Sequence, residues 1–184
     1  MTERSFRGLF FALALTGLLL DQASKYLVFQ WLHNTTHDVV PGVFYLDPRH
    51  DDSTGQPVVN QGALFGFLRD HDWLANGLFA AISIGAAAAI VFWGTRRSSA
   101  GDWSLSAALG LILAGTLGNL YDRIIFTGVR DFLHVHYRNF DWPVFNVADA
   151  CLVCGAFLLL TQALFSRSPC DKPVLELRQT VEAK

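Results

Sequence analysis

Four long apolar stretches divide the chain. The first, Gly8 to Leu32, is interrupted only by Asp21 and Lys25. The second, Trp73 to Trp93, and the third, Trp103 to Tyr121, hold no charged residue, and the fourth, Val144 to Phe165, holds only Asp149. Each is near the ~20 residues that a helix needs to cross a ~30 Å hydrocarbon layer. A helix of a soluble bundle carries a polar stripe, whereas FAAISIGAAAAIVFW in the second stretch is apolar all round. Trp31, Trp73, Trp93, Trp103, Tyr121 and Trp142 stand at or near the ends, as interfacial aromatics do. The pattern predicts an all-α membrane protein with four transmembrane helices, over about 8–32, 73–93, 103–121 and 144–165. These form one domain, residues 1–166, with outer loops 33–72 and 122–143 and a polar cytoplasmic tail, 167–184.

Composition narrows the class. Of 184 residues, 52% are hydrophobic and 16% charged, against roughly 25% charged in soluble domains. That excludes a disordered chain. Three cysteines are too few for a disulfide-stapled module, and Cys170, in the tail, reads as a free thiol in reducing cytoplasm. The net charge of -2 points to no polyanion, so no nucleic-acid partner is expected. Arg4 and Arg7 before the first stretch resemble a signal-peptide n-region, but the run to Leu32 is too long for an h-region.

Lys/Arg bias sets the expected orientation. Arg4, Arg7, the Arg96–Arg97 link, and Arg167, Lys172, Arg178 and Lys184 fall on one side of a four-span chain. The positive-inside rule makes that side cytoplasmic, with both termini there. On the opposite side, VVPGVFYL (39–46) reads as strand–turn–strand. DPRHDDSTGQP (47–57) reads as a mobile polar insert. VRDFLHVHY (129–137) fits an extended segment or a short interfacial helix.

The chemistry lies in polar residues at membrane depth, where ions are costly and usually face an interior, a cavity or a partner. Asp21 and Lys25 are four apart and can pair on one helix face. That pair serves either as a register-fixing ion pair or as part of a site. Asn119 and Asp122, and likewise Asn146 and Asp149, are three apart, so each amide sits beside its carboxylate. Asp131 lies between the two pairs, so three carboxylates can converge near the outer surface. Asn146 and Asp149 also fit a helix cap. Arg123, next in sequence, is expected to hold Asp122 ionised. Two close carboxylates share a proton; the ionised one can then activate water while the other donates to a scissile carbonyl.

Other chemistries have thinner support. His134 and His136, with Asp131, suggest a metal, but no HExxH and no further ligand at standard spacing accompany them. Cys151-x-x-Cys154 lies within an apolar stretch and reads as two small core residues. A transporter would carry polar residues along several helices, and a structural subunit would tolerate Asn at Asp131 and Asp149.

Five motifs together resemble the lipoprotein signal peptidase (type II signal peptidase) family of bacteria. DQASK at 21–25 resembles its D-Q-x-S/T-K, NQGALFG at 60–66 its N-x-G-A-x-F-G, and GNLYDR at 118–123 its G-N-x-x-D-R. GVRDF at 128–132 resembles G-x-V-x-D-F, and FNVAD at 145–149 resembles F-N-x-A-D. The resemblance implies an intramembrane aspartic endopeptidase in the inner membrane, with Asp131 and Asp149 as the catalytic dyad. Asp21, Lys25, Asn60, Gly62, Asn119, Asp122, Arg123 and Asn146 would support the site or bind substrate. It implies lipidated prolipoprotein substrates cut before the diacylglyceryl cysteine and no metal or organic cofactor; contact with membrane lipid and a monomer are expected beside it. It also implies a small extracytoplasmic β-cradle and a periplasmic helix, drawn from residues 39–68 and 124–140. The insert 47–57, Ala114 in place of a family glycine, and Arg130 in place of a small apolar residue depart from the pattern. Arg130 beside the dyad is expected to favour an ionised Asp131.

Overall fold

The computed structural model describes residues 5–62 and 72–165. Residues 63–66 of the second motif and the tail with Cys170 lie outside them. Five helices and four strands follow in the order α1 (Arg7–Leu32), β1 (His37–Val40), β2 (Phe44–Leu46), α2 (Asp72–Gly94), α3 (Arg97–Ala100), α4 (Trp103–Ile125), β3 (Leu133–Tyr137), β4 (Phe140–Asp141) and α5 (Val147–Phe165).

The four long helices are inside-out relative to a soluble bundle. On α1 the buried positions are Phe10, Ala14, Gly17, Asp21, Lys25 and Phe29, a spacing of three or four that marks one face. Leu15, Leu19 and Leu20 on its other faces are exposed, as are Val153, Phe157, Leu160 and Leu164 on α5. The charges of Asp21 and Lys25 thus point inward along with a few apolar side chains, while many large apolar side chains face outward, as suits a lipid surround. Among the described residues three helical segments, Trp73–Gly94, Trp103–Ile125 and Val147–Phe165, are long and apolar enough to cross a membrane. Four such spans were expected. With 26 residues α1 is long enough, but Arg7, Asp21, Gln22, Ser24 and Lys25 lower its hydropathy.

The central helix is α4, which packs against α1, α2 and α5. Its small residues allow that closeness. A Cβ on Gly110 would meet the Phe10 carbonyl of α1 at 2.7 Å, and one on Gly118 the Asp21 carboxylate at 2.6 Å. On Gly115 it would overlap the Ala148 carbonyl and reach Leu152 Cγ at 2.6 Å. The helix runs one turn beyond Tyr121 to Ile125, so Asp122 and Arg123 are helical rather than in a loop.

Strands from the α1–α2 and α4–α5 connections make one antiparallel sheet, in the order β1-β2-β3-β4. Gly42, at φ +78°, makes the β1–β2 turn. Leu46 pairs with Leu133 and Phe44 with Val135, which joins the loops. The segment 129–137 is therefore extended through β3 rather than a helix. The insert read as mobile is instead a bonded turn. Asp51 Oδ1 accepts from the Ser53 and Thr54 amides at 3.0 and 2.8 Å, and the Asp47 amide donates to the Phe132 carbonyl at 2.8 Å. The Ser53 hydroxyl, together with the Thr54 amide and hydroxyl and the Ser53 amide, holds the Asp51 carboxyl down at about 2.

The α4–α5 contact yields a test. Gly115→Ala should lower the stability of the detergent-solubilised protein by roughly 1–3 kcal/mol, the usual cost of overpacking. Gly85→Ala, where a Cβ meets nothing within 4 Å, should not lower it. Thermal unfolding of the two variants side by side reads the difference.

Candidate active site

Asp131 and Asp149 come together through two asparagines. Asn146 precedes α5 and caps it: the Asp149 amide donates to Asn146 Oδ1 at 2.9 Å, and the Asn146 amide to Asp149 Oδ2 at 3.3 Å. This is a reciprocal cap at the helix start. The same Asn146 donates its Nδ2 to Asp131 Oδ1 at 2.7 Å and to Asn119 Oδ1 at 3.2 Å. Asn119 in turn donates to Asp149 Oδ1 at 2.8 Å. The residues that cap α5 also link Asp149 to Asp131 through side-chain amides.

Backbone pairing aligns the segments. Asn60 bridges Val129 through two bonds of 2.7 and 2.8 Å, and Asn60 Nδ2 reaches Asp131 Oδ2 at 3.1 Å. Leu133 bridges Phe145, which sets Asp131 beside Asn146. Gly62, at φ +86°, donates its amide to Asn60 Oδ1 at 2.9 Å. Any Cβ there would meet the Phe79 ring of α2 at 2.5 Å. The positive φ and the close ring both require glycine.

Burial, opposed by the amides of Asn60 and Asn146 and reinforced by the negative charge of Asp149, pushes the Asp131 carboxyl up to about 6. The expectation that Arg130 would favour an ionised Asp131 fails on geometry, because no bond joins the two side chains among the described residues. The Arg130 side chain is turned to the neighbouring helices. Its Nη2 donates to Asp122 Oδ1 at 2.9 Å and its Nε to Asp122 Oδ2 at 3.2 Å.

Asp122 therefore stands apart from the other two carboxylates. It accepts from Arg130, lies 3.3 Å from Lys25 Nζ and accepts from Gln22 Nε2 at 3.3 Å. Lys25 also bonds Asp21 at 2.8 Å. Arg123 is not the partner of Asp122: its Nη1 donates to the Asn119 carbonyl at 3.3 Å. Its guanidinium lies 5.3 Å from the Phe79 ring centre, and its buried Nε has no partner among the described residues. Asp21 Oδ1 accepts the Ala148 amide at 2.8 Å, so α1 caps the N-terminus of α5. Asp21–Lys25 is thus a buried ion pair whose carboxylate also holds the first turn of α5.

His134 and His136 both contact Asp141 Oδ1, at 2.7 and 3.3 Å. Those contacts hold the Asp141 carboxyl below its ordinary range. Asp131 bonds Asn60 and Asn146 instead, so the three residues of the metal reading are not gathered. The sequence reading gave no part to Gln22 or Asn76, and it set Arg130 beside Asp131 rather than against Asp122. Gln22 lies inside a quoted motif. Asn76, on the helix read as uniformly apolar, donates to the Arg123 carbonyl at 3.1 Å; a lone amide in an apolar span was the available signal.

The family model for signal peptidase (SPase) II matches residues 13–165. A lipoprotein signal peptidase of Pseudoalteromonas translucida is 39% identical over 158 residues, covering 85% of this chain and 89% of the relative. One of Methylorubrum extorquens is 38% identical over 160 residues, covering 87% of each. A bacterial membrane enzyme solved by the in meso method superposes with a TM-score of 0.76 at 25% identity, over 94% of this chain and 97% of that one. The chain belongs to the signal peptidase II family.

Proposed function

We propose that this peptidase removes the signal peptide of diacylglyceryl-modified prolipoproteins, cutting before the lipidated cysteine, with Asp131 and Asp149 as its catalytic pair. The observation that carries the reading is the amide-linked pair itself. Asn60, Asn119 and Asn146 supply hydrogen bonds to both carboxylates. Uncharged donors satisfy carboxylate oxygens while leaving the pair free to share one proton. The ionised member takes a proton from the attacking water, and the protonated member donates a hydrogen bond to the scissile carbonyl while keeping its proton. When the amine leaves, the carboxyl that gained the water proton returns one to it. No covalent enzyme intermediate forms.

The fold supports a bilayer setting. The exposed apolar faces of α1, α2, α4 and α5 suit a lipid surround, with α1 as the fourth span because its charges face the bundle. The sheet then lies on the extracytoplasmic side as a cradle above the pair. Both termini are cytoplasmic, in the inner membrane, and the monomer is the working unit.

Asp131→Asn and Asp149→Asn should each cut turnover of a lipidated precursor by on the order of 10²–10⁴-fold while precursor still binds. Asp122→Asn should mainly lower folded yield and keep some turnover. Cleavage per mole of folded protein measures this; a dead but folded Asp122→Asn beside an active Asp131→Asn would replace the dyad with Asp122 and Asp149.

The pH dependence has a definite sign. Asp131 is raised to about 6, so kcat/KM should fall as pH rises past that value and the pair loses its shared proton. A second fall should come at acid pH, when both carboxyls are protonated. A raised folded-state value also means that its stability contribution is present below the unfolded carboxylate range and is lost as pH rises through about 6. Asp131→Asn should therefore raise the thermal unfolding midpoint at pH 7.5 more than at pH 5.

Topology is tested by reporter fusions. Fusions at Ser99 and after Lys184 should read as cytoplasmic and one at Ser53 as extracytoplasmic. An extracytoplasmic signal at Ser99 would reverse the orientation.

A further inference from the structure

Arg130 is the largest fully buried side chain among the described residues, 1% exposed, and bonds Asp122, which like Asp21 and Lys25 is 0% exposed. A buried guanidinium needs partners for its charge and its donors. Here the partners are Asp122, through the fork described above, Gln22 Oε1 at 3.1 Å, and the ring faces of Phe126 and Tyr26, 4.0 and 4.4 Å from its carbon Cζ. The Arg130 backbone amide also donates to Asp122 Oδ2 at 2.9 Å. Main chain and side chain of one residue thus grip one carboxylate.

The chain of contacts has two ends. It runs from Arg130 to Asp122, from Asp122 to Lys25, from Lys25 to Asp21, and from Asp21 to the amide of Ala148. Arg130 immediately precedes Asp131, and Ala148 immediately precedes Asp149. Each end therefore fixes the backbone next to one carboxylate. With Arg130 the chain carries two cations and two anions. Without it, Asp21 and Asp122 would share Lys25 alone and leave one negative charge behind the pair.

We propose that Arg130 is a positioning residue for the peptidase reaction: it closes a buried chain of four charges that sets Asp131 relative to Asp149. This rests on the Asp131/Asp149 reading above. The groups facing Asp131 are Asn60 from the first outer loop, Lys25 from α1, Arg123 from α4, and Asn146 and Asp149 at the start of α5. Removing Arg130 changes none of these directly, so its effect must travel through backbone position and through the net charge of the chain.

The experiment uses the full-length protein in lipid nanodiscs and a lipidated precursor, with kcat, KM and the pH–rate profile referred to folded protein. Arg130→Met should lower kcat by about tenfold to a hundredfold, the loss that a displacement of about 1 Å produces, with KM unchanged. Its alkaline limb should move to higher pH, because the uncompensated anion favours the protonated pair. Arg130→Lys keeps the charge but not the fork, so kcat should fall while the profile stays in place. Arg130→Met with Asp122→Asn restores neutrality, so the profile should return while kcat stays low. A folded Arg130→Met with native kcat and profile overturns the proposal, as does a change confined to KM. Should Arg130→Met not be recovered folded, Arg130→Lys decides: native kcat overturns the proposal. Asp131→Asn and Asp149→Asn run alongside. If they retain activity the dyad reading fails, an outcome separate from any behaviour of Arg130.

Discussion

The arrangement depends on the buried bond from Asp21 to Lys25 and onward to Asp122. Three ionisable groups with no exposed surface carry a large desolvation cost when charged, and their attraction offsets it only where every remaining donor and acceptor is also satisfied. Here that is nearly complete. Gln22 donates to Asp21, to Asp122 and to the Gly118 carbonyl, and Asp21 accepts a helix-end amide. Such a network tolerates little displacement, because losing one member leaves a buried charge unpaired. The glycines of α4 follow from it. Gly118 lies against the Asp21 carboxylate and the Ala148 side chain, so any larger residue would push α1 and α5 away from the helix that carries Asp122.

A second constraint acts from the loops. The antiparallel bridges Asn60–Val129 and Leu133–Phe145 flank Asp131 on either side in sequence, and the β2–β3 pairing fixes their register against the first loop. Asp131 thus sits between a polar anchor in the bundle and a hydrogen-bonded anchor in the sheet. Asp149 needs less support, since α5 presents it on its first turn and Asn146 caps the same turn. The capping pair serves stability and site geometry at once.

Local spacing made part of this legible. Intervals of three and four residues placed Asn beside Asp and Lys25 beside Asp21, because helical periodicity is a property of the chain alone. The strand–turn–strand at 39–46 was equally local. Pairing between β2 and β3 was not, since it joins segments far apart in sequence. Nor was the orientation of Arg130. Adjacent in sequence to Asp131, it suggested a partnership that the structure replaces with Asp122, eight residues earlier and reached only after the chain turns at Thr127 and Gly128. Arg123 misled in the same way: adjacency to Asp122 is not contact, because consecutive helical residues point about 100° apart. The insert 47–57 looked mobile because its composition is turn-forming, but those same Asp, Ser and Thr side chains bond the turn shut.

The distribution of cations leaves Asp131 and Asp149 without a directly bonded cation among the described residues. A guanidinium or ammonium bonded directly to either would favour the fully ionised pair. Lys25 is bonded to Asp21 and lies beside Asp122, and Arg130 is bonded to Asp122 and Gln22. Arg123 is held by the Asn119 carbonyl and stands over Phe79. The side-chain hydrogen bonds of Asp131 and Asp149 come from asparagines. An amide satisfies an oxygen whether the pair carries one negative charge or two, so it holds geometry without forcing ionisation. The site thus keeps its cations near enough to fix the backbone and bonded elsewhere, and that separation is what permits burial to raise Asp131.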